Sequence, residues 1–209
     1  MEKTHIIKVK GDWKEVLDDC LFTMGKQPKG KEPSTEWKKK ILISEHSPIR
    51  DIIFKWDWYS VKHWVTVHWV RHKWEKFVRT QRTDRTGIKR DNLPQDEPQD
   101  FRGEANIQHL IDTQRKRLCF CASHETREYA ESLKIATHEI QPEIGNVMVP
   151  NCVYRCGCPE LMQDPAHKCG FFEWLSTIDH DVKSSDIQTR YDAYNRIFYE
   201  MHSKKETDC

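Results

Sequence analysis

A basic and aromatic stretch, from His68 to Arg85, places the strongest constraint on this chain. It follows residues 51–59, whose alternation predicts a β-strand, and residues 61–72, whose apolar positions recur at helical spacing. We therefore expect Arg71 to emerge at the end of a buried helix. Planar guanidinium groups bind phosphates through two hydrogen bonds, and a hydroxyl such as that of Thr80 can complete a phosphate site. The stretch predicts an anion site, and a nucleotide is the ligand that we expect.

The rest of the pattern predicts alternating short elements followed by longer helices. The predicted elements are a strand at 4–9, helices at 13–24 and 34–43, a loop at 85–102, a helix from Glu104 to about Glu139, and a final helix at 185–203. In the 104–139 helix, four polar residues fall on one face, which would form one wall of a pocket; they are Asn106, Thr113, Arg117 and His124.

Length and composition narrow the class of protein. The 209 residues fit one domain, 1–209, with a Cys-rich segment at 150–172 and a C-terminal helix. The 34 Lys and Arg against 33 Asp and Glu leave no global positive field, so nucleic acid is not an expected partner. Neither a membrane span nor a secretory signal is indicated, and we predict a cytoplasmic protein. The eight Cys then favour reduced thiols or a metal site over disulfides.

Several motifs in order carry a resemblance to one enzyme family. Arg71-His72-Lys73 with Thr80-Gln81-Arg82 resembles the Arg-His-Arg … Ser-x-Arg signature of flavin-dependent thymidylate synthases. Residues 45–48, residues 90–94 and Asn106 resemble further family elements, and the resemblance covers roughly residues 4 to 175. Two substitutions depart from the signature, Lys73 for Arg and Thr80 for Ser, and the connection after the signature is shorter than in the family.

The resemblance implies an α+β fold with a mixed or antiparallel sheet and long helices, assembled as a homotetramer. It implies reductive C5 methylation of dUMP with FAD, NADPH and 5,10-methylenetetrahydrofolate. The residues implied to bind the flavin cofactor are Ser47, Arg71, His72, Lys73, Asn106 and Asp112. The residues implied to bind the pyrimidine nucleoside monophosphate are His68, Arg71, Thr80, Arg82, Arg90 and Arg117. Arg117 is implied to be catalytic, because a positive charge beside the uracil ring would hold developing negative charge.

Four cysteines form a second constellation, Cys152, Cys156, Cys158 and Cys169, with His167 nearby. Thiolates at these spacings would close a tetrahedral zinc site that ties a loop lacking its own core. The same residues also fit a role as small apolar packing groups.

Two alternatives remain open at the level of sequence. The altered signature and the short connection also fit a related pyrimidine-nucleotide methylase or C5 hydroxymethylase. A protein of another class, a non-catalytic nucleotide- or RNA-binding module with a zinc-stapled end, would use the same stretch for stacking and charge neutralisation.

Overall fold

A computed structural model describes the backbone of residues 3–159 and 169–207 and the side chains of residues 3–159 and 169–203. Contacts within the chain divide it into two compact units. The sheet unit comprises residues 3–32 and 48–109 of the described part, and the helical unit comprises residues 33–47 and the described residues from 110 onward. The prediction of a single domain stays a prediction.

The described elements alternate between strands and helices as far as residue 106 and are helical after it. The strands are β1 (His5–Lys10), β2 (Ile53–Lys62), β3 (Glu75–Val78) and β4 (Pro98–Asn106). The helices are α1 (Trp13–Thr23), α2 (Thr35–Ile43), α3 (His63–Trp69), α4 (Thr83–Thr86), α5 (Ile107–Arg117), α6 (His124–Ile140), α7 (Pro142–Val147), α8 (Asn151–Tyr154), α9 (Phe171–Ile178) and α10 (Ile187–Thr207). Short 3-10 turns lie at Ser47–Asp51, Arg90–Asn92 and His180–Lys183.

The sheet has the strand order β1-β2-β4-β3, and each neighbouring pair is antiparallel. One face of the sheet is aromatic, because Trp58 on β2 and Phe101 on β4 are paired in register and stack at 5.2 Å between ring centroids. Trp69 from α3 and Trp74 from the turn before β3 pack against this pair. Aromatic groups of this size supply most of the buried apolar surface of a small unit. The tryptophan-rich part of the sequence is therefore the core of the sheet unit.

Gly103 shows how tightly this core is packed. The residue lies on β4 opposite Trp56, and a Cβ atom added there would come within 2.3 Å of the indole ring. Trp56 is fully buried, so the ring has no free space into which to move. A glycine at this position is what allows the indole to approach the β4 backbone this closely.

Local sequence signals fix the first two helices as predicted. Asp12 caps α1 and accepts bonds from the N–H groups of Lys14 and Glu15, while the Glu15 carboxylate accepts from the Asp12 N–H, which completes a capping box. Ser34 caps α2 by accepting from the Trp37 N–H at 3.2 Å. The predictions of strand 4–9 and of helices at 13–24 and 34–43 are confirmed to within one or two residues.

Two predictions for the middle of the chain are wrong. The predicted loop at 85–102 includes the first part of β4, whose inward positions from Gln99 to Ala105 are buried at every second residue. This two-residue period is inconspicuous in the sequence, because the buried positions include Gln99 and Gly103 as well as apolar residues.

The predicted helix at 104–139 is in fact the end of β4 followed by two helices. Asn106 ends β4, a turn closed by the bond from the Ala122 N–H to the Cys119 carbonyl separates α5 from α6, and Ser123 is the N-cap residue of α6. A serine is favoured at such a cap rather than inside a helix. The single helical face predicted for Asn106, Thr113, Arg117 and His124 is therefore wrong.

Buried basic groups hold the helical unit together. Lys134 on α6 is fully buried, and its ammonium group donates to the Gly145 carbonyl at 2.7 Å and to Asn195 Oδ1 at 2.6 Å, thereby joining α6, α7 and α10. Arg190 on α10 donates to backbone carbonyls on two segments, among them those of Val153 and Ser184. Burial lowers the pKa of Lys134 well below its usual value, since removal from water disfavours the charged form.

The predicted α+β class is confirmed, with an antiparallel sheet and several helices. The final helix predicted at 185–203 is present as α10. Within the described residues, no helix combines the length and the apolar character that crossing a bilayer requires.

Candidate functional site

A cavity of about 220 Å³ lies in the sheet unit beside the connection between β3 and β4. We call it the arginine cavity. The residues that line it are His63, Val78, Arg79, Thr80, Gln81, Arg82, Arg90 and Gln99. Three of these residues, Thr80, Arg82 and Arg90, were singled out from the sequence as substrate-binding, and the fold brings them to the same cavity.

The connection is held in place by pairing at its base and by bonds within itself. Val78 pairs with Phe101 across β3 and β4, and the Arg79 N–H donates to the Asp100 carbonyl at 2.9 Å, which extends the ladder by one step. Farther along, the Arg90 N–H donates to Thr83 Oγ1 at 3.3 Å, so that the chain after α4 returns to its start. These bonds place side chains that are several residues apart around one space.

Gly87 makes this return possible. It ends α4 with a φ of +73°, in the left-handed region that residues with a Cβ atom rarely adopt, and its N–H donates to the Thr83 carbonyl. The turn is therefore specified by the Thr-Gly segment 86–87, which lies between the predicted residues Arg82 and Arg90 in the sequence.

The positive charge of the cavity is only partly neutralised. Arg82 meets Asp84 through two bonds, Nε to Oδ1 at 3.0 Å and the terminal nitrogen to Oδ2 at 2.8 Å. Arg79 lies 3.6 Å from the Asp100 carboxylate, and Arg90 has no ion pair within the described residues. Both pairs are more than 45% exposed, so water and salt weaken them and a bound anion can replace the carboxylate.

Two of the residues that line the same cavity carry a buried polar atom without a partner among the described residues. Gln99 on β4 is only 4% exposed, and its Oε1 atom has no hydrogen-bond partner among the described residues. The Nδ1 atom of His63, at the start of α3, is likewise buried and unpartnered in the described part. A buried polar atom without a partner is costly unless a ligand or water satisfies it. The cavity therefore offers unused hydrogen-bonding capacity beside its arginines.

A second cavity, of about 460 Å³, lies on the polar face of the sheet and is called the sheet-face groove. Tyr59 and Phe77 expose more than half of their surface there. Its arginine Arg102 already forms an ion pair, in which the guanidinium group donates two hydrogen bonds of 2.6 and 2.7 Å to the Asp57 carboxylate. Bonding to Arg102 also holds the pKa of the Asp57 carboxyl below its usual value. The groove thus offers aromatic surface and comparatively little uncompensated charge.

The remaining predicted residues of the basic stretch lie outside the borders of the arginine cavity. His68 is on α3 and meets the edge of the Trp64 ring, while Arg71, His72 and Lys73 form the turn between α3 and β3. Arg71 does emerge just after a buried helix, as predicted. Arg71 and Lys73 are exposed and have no ion pair among the described residues, so both cations are accessible to an anionic group.

Three predicted residues lie on or beside α5, and a fourth lies in the 3-10 turn that follows α2. Asn106 is the last residue of β4, directly before α5, and its Oδ1 accepts from the His109 N–H at 2.9 Å. Asp112 is exposed and 3.4 Å from Arg115, and Arg117 is half-buried at the last residue of α5. Ser47 is exposed at the start of the first 3-10 turn. Their predicted roles toward flavin and nucleotide stay predictions.

The cysteines differ widely in their surroundings. Cys152 is buried on α8, which raises the pKa of its thiol to about 12, whereas Cys156 is exposed and donates to the Lys183 carbonyl at 3.4 Å. Cys169 instead shares a hydrogen bond with Cys121. In the described ranges, no three His, Cys, Asp or Glu side chains are arranged as ligands of one metal ion. His167 lies outside the described residues, and the zinc site at Cys152, Cys156, Cys158 and Cys169 stays a prediction, which elemental analysis of the purified protein would test.

Sequence reasoning missed three of the polar residues around the arginine cavity. Arg79 is next to the predicted Thr80 and could have been found as part of the same basic run. His63 and Gln99 are distant in sequence, and only the pairing of β2 with β4 reveals that Gln99 lies in the buried row beside the end of β2. No local motif marks either residue.

Comparisons with known proteins place the fold but not the family. No family model matches the sequence, and no curated protein sequence matches it. The structure is similar to a crystal structure of the UMP/dUMP methylase PolB from Streptomyces cacaoi bound with 5-Br dUMP, with a TM-score of 0.57 and 12% sequence identity. The match covers 69% of this chain and 93% of the methylase chain. A likeness at this identity shows a shared fold.

Proposed function

We propose that the protein binds a pyrimidine nucleoside monophosphate, with the phosphate in the arginine cavity. The observation that carries this proposal is the convergence of Thr80, Arg82 and Arg90 on one cavity in a fold shared with a UMP/dUMP methylase. A phosphate dianion needs two or more cationic donors, and Arg79 adds a third guanidinium group to the set. The incomplete neutralisation of these arginines supports an anionic ligand.

We further propose that the protein is a nucleotide C5 methylase of the flavin-dependent type, acting on dUMP with methylenetetrahydrofolate and NADPH. FAD, when bound, would supply the reducing chemistry. Arg71 and Lys73 fit its phosphates, because both are exposed cations without ion pairs among the described residues. Arg117 is the residue that the resemblance assigns to the uracil ring, and a homotetramer is the assembly that it implies.

One alternative keeps the ligand and changes the reaction. A related pyrimidine-nucleotide methylase or C5 hydroxymethylase would use the same phosphate site with a different product. Mass spectrometry of the nucleotide after incubation with methylenetetrahydrofolate, NADPH and FAD distinguishes the two reactions, since a hydroxymethyl product is heavier than a methyl product by one oxygen atom.

The sheet-face groove supports a second candidate function. Its exposed Tyr59 and Phe77, together with Lys55, resemble the stacking surfaces of proteins that bind single-stranded RNA or free nucleotides without catalysis. Arg102, which lines this groove and not the arginine cavity, is held by Asp57 through two short bonds, and this makes the groove the weaker anion site of the two. Phe77→Ala would abolish binding of a short RNA under this alternative and would leave dUMP binding in the arginine cavity unchanged.

The direct test is calorimetric titration of the purified chain with dUMP, UMP and inorganic phosphate. We expect saturable nucleotide binding that weakens as salt is added, because the contacts are charge-assisted and exposed. Ligand at about 100 times its dissociation constant should also stabilise the protein by about 2.7 kcal/mol, which a thermal melt detects. Absence of binding for all three ligands would refute the proposal.

Flavin dependence has its own test. Protein titrated with FAD should show quenching of flavin fluorescence and a raised melting temperature, and Arg71→Ala should reduce both changes. Lys89→Ala is the matched control, since Lys89 is an exposed cation that lines neither described cavity. If the protein binds nucleotide but does not respond to FAD, the proposed nucleotide binding stands and the proposed flavin-dependent reaction is refuted.

A further inference from the structure

Gln99 is the most completely buried polar side chain bordering the arginine cavity, with 4% of its surface exposed. Its Nε2 donates to the Pro98 carbonyl at 3.0 Å. Its Oε1 is buried and has no partner among the described residues. The amide nitrogen is therefore satisfied by the protein, whereas the amide oxygen has no hydrogen-bond partner among the described residues.

The bonded end decides the chemical nature of the free end. If the amide were rotated by 180°, Oε1 would face the Pro98 carbonyl, and two acceptors would oppose each other at hydrogen-bonding distance. The bond from Nε2 to this carbonyl excludes that arrangement. The unsatisfied atom of Gln99 is thus an acceptor, and it requires a donor.

His63 adds a second polar atom at the same border. Its ring Nδ1 is buried and unpartnered within the described residues, while its backbone N–H is used by the Glu97 carbonyl at 3.1 Å. A neutral imidazole can present either a donor or an acceptor at Nδ1, depending on its tautomer. His63 can therefore adapt to a ligand, whereas Gln99 cannot.

A phosphate alone does not satisfy this arrangement. The oxygens of a phosphate dianion accept hydrogen bonds and suit the three arginines, but they would repel the Gln99 oxygen. A donor close to a phosphate is provided by a sugar hydroxyl. The cavity therefore matches a phosphate together with the hydroxyl-bearing sugar next to it.

We infer that Gln99 is a specificity-determining residue that accepts a hydrogen bond from a sugar hydroxyl of the bound nucleoside monophosphate. This inference rests on the proposed nucleotide binding and adds to it the group that the protein recognises beside the phosphate. A site with a buried acceptor rejects an analogue that lacks the hydroxyl, since the acceptor is then left unpaired inside the protein. The expected discrimination is about tenfold or more, and tenfold corresponds to about 1.4 kcal/mol.

The test compares ligands that differ only in the hydroxyl. The wild-type protein and Gln99→Met are titrated by calorimetry with dUMP and with 2′,3′-dideoxyUMP, which has no sugar hydroxyl. The wild type should bind dUMP about tenfold more tightly. Gln99→Met, which keeps the length of the side chain without the acceptor, should bind both ligands with similar affinity. Gln95→Met, an exposed residue of the same connection, is the control and should behave as wild type.

Each outcome is decisive. Equal affinity of the wild type for dUMP and dideoxyUMP overturns the inference while nucleotide binding stands. If Gln99→Met binds both ligands more weakly than the wild type by the same factor, the inference is also overturned, because that result indicates a structural role. Failure of the wild type to bind any nucleotide or phosphate refutes the proposed function itself. If Gln99→Met does not fold, Gln99→Leu, which also lacks the acceptor, takes its place in the same comparison.

Discussion

Basic side chains serve two different purposes in the two units. In the helical unit, Lys134 and Arg190 are buried, and backbone carbonyls or an amide oxygen accept their hydrogen bonds. In the connection between β3 and β4, Arg79, Arg82 and Arg90 are exposed, and their ion-pairing partners, where present, are exposed carboxylates. Both sets consist of basic residues, but the groups that accept hydrogen bonds from them differ.

The difference shows how a structural cation is distinguished from a binding cation. A carbonyl inside a helix bundle cannot leave, so a cation bonded to it links segments of the chain. An exposed carboxylate moves away at little cost when a ligand phosphate arrives, because surface ion pairs contribute about 0–1 kcal/mol. We therefore expect substitutions in the helical unit to change stability and substitutions in the connection to change affinity.

The largest effect should come from Lys134→Met. The substitution leaves the Gly145 carbonyl and Asn195 Oδ1 buried without their donor, and the free energy of unfolding should fall by about 2–4 kcal/mol. Chemical denaturation measures the change. Lys116→Met, at an exposed position on α5, is the control and should change stability by less than about 0.5 kcal/mol. A Lys134→Met protein as stable as wild type would show that relief from burying the ammonium outweighs the lost bonds.

The next effect is on ligand affinity. Arg90→Ala removes an exposed guanidinium group that has no ion pair among the described residues, and it should weaken dUMP binding by about 10- to 100-fold. The melting temperature without ligand should stay close to that of wild type. Calorimetry and a thermal melt on the same samples test both statements. A large loss of stability would place Arg90 with the structural cations and break the distinction between the units.

A smaller effect, of opposite sign, is expected at Asp84. Asp84→Asn removes the carboxylate that holds Arg82, so the guanidinium no longer has to leave an ion pair before it meets phosphate. Affinity for dUMP should rise by about two- to fivefold, in line with the small free energy of an exposed pair. The gain should disappear in the background of Arg82→Ala. Weaker binding of Asp84→Asn would mean that Asp84 orients the guanidinium rather than competes for it.

The smallest effect concerns an acidic group of the sheet unit. Partial desolvation, together with a hydrogen bond to Asp19 and repulsion from its carboxylate, raises the pKa of Asp51 to about 6. Because the folded state holds this proton more tightly than the unfolded state, the contribution to stability is full below about pH 4 and is lost as the pH rises through about 6. Asp51→Asn should therefore raise the melting temperature slightly at pH 7.5. It should also make the melting temperature vary less with pH between pH 4 and 7. Asp96→Asn, an exposed carboxylate of the same unit, should leave the profile unchanged.

The elements that sequence predicted well are those with local signals. The capping residues Asp12 and Ser34 marked α1 and α2, and the alternating tryptophans marked β2. The strand β4 was missed because its buried row includes Gln99 and Gly103, which become inward-facing only when β2 and β3 pair with it. The break before Ser123 was missed because the helical pattern continues on both sides of it.

The arginine cavity was predictable in part for the same reason. Thr80, Arg82 and Arg90 lie in one basic segment whose order resembles a known signature, so their grouping could be predicted. His63 and Gln99 reach the cavity through the pairing of strands and through α3, and neither forms a local pattern with the arginines. Long-range pairing, rather than residue type, determines that part of the site.

The connection between β3 and β4 has an evolutionary consequence. Most of the lining of the arginine cavity comes from one continuous piece of chain, and both ends of that piece are fixed to paired strands. Loops of this kind tolerate insertion and deletion, because a longer closed loop costs little additional entropy. Such a segment can be lengthened, shortened or exchanged while the strands beneath it keep their register. Ligand preference can therefore diverge through insertions, deletions and substitutions in this one loop, without changes to the tryptophan core.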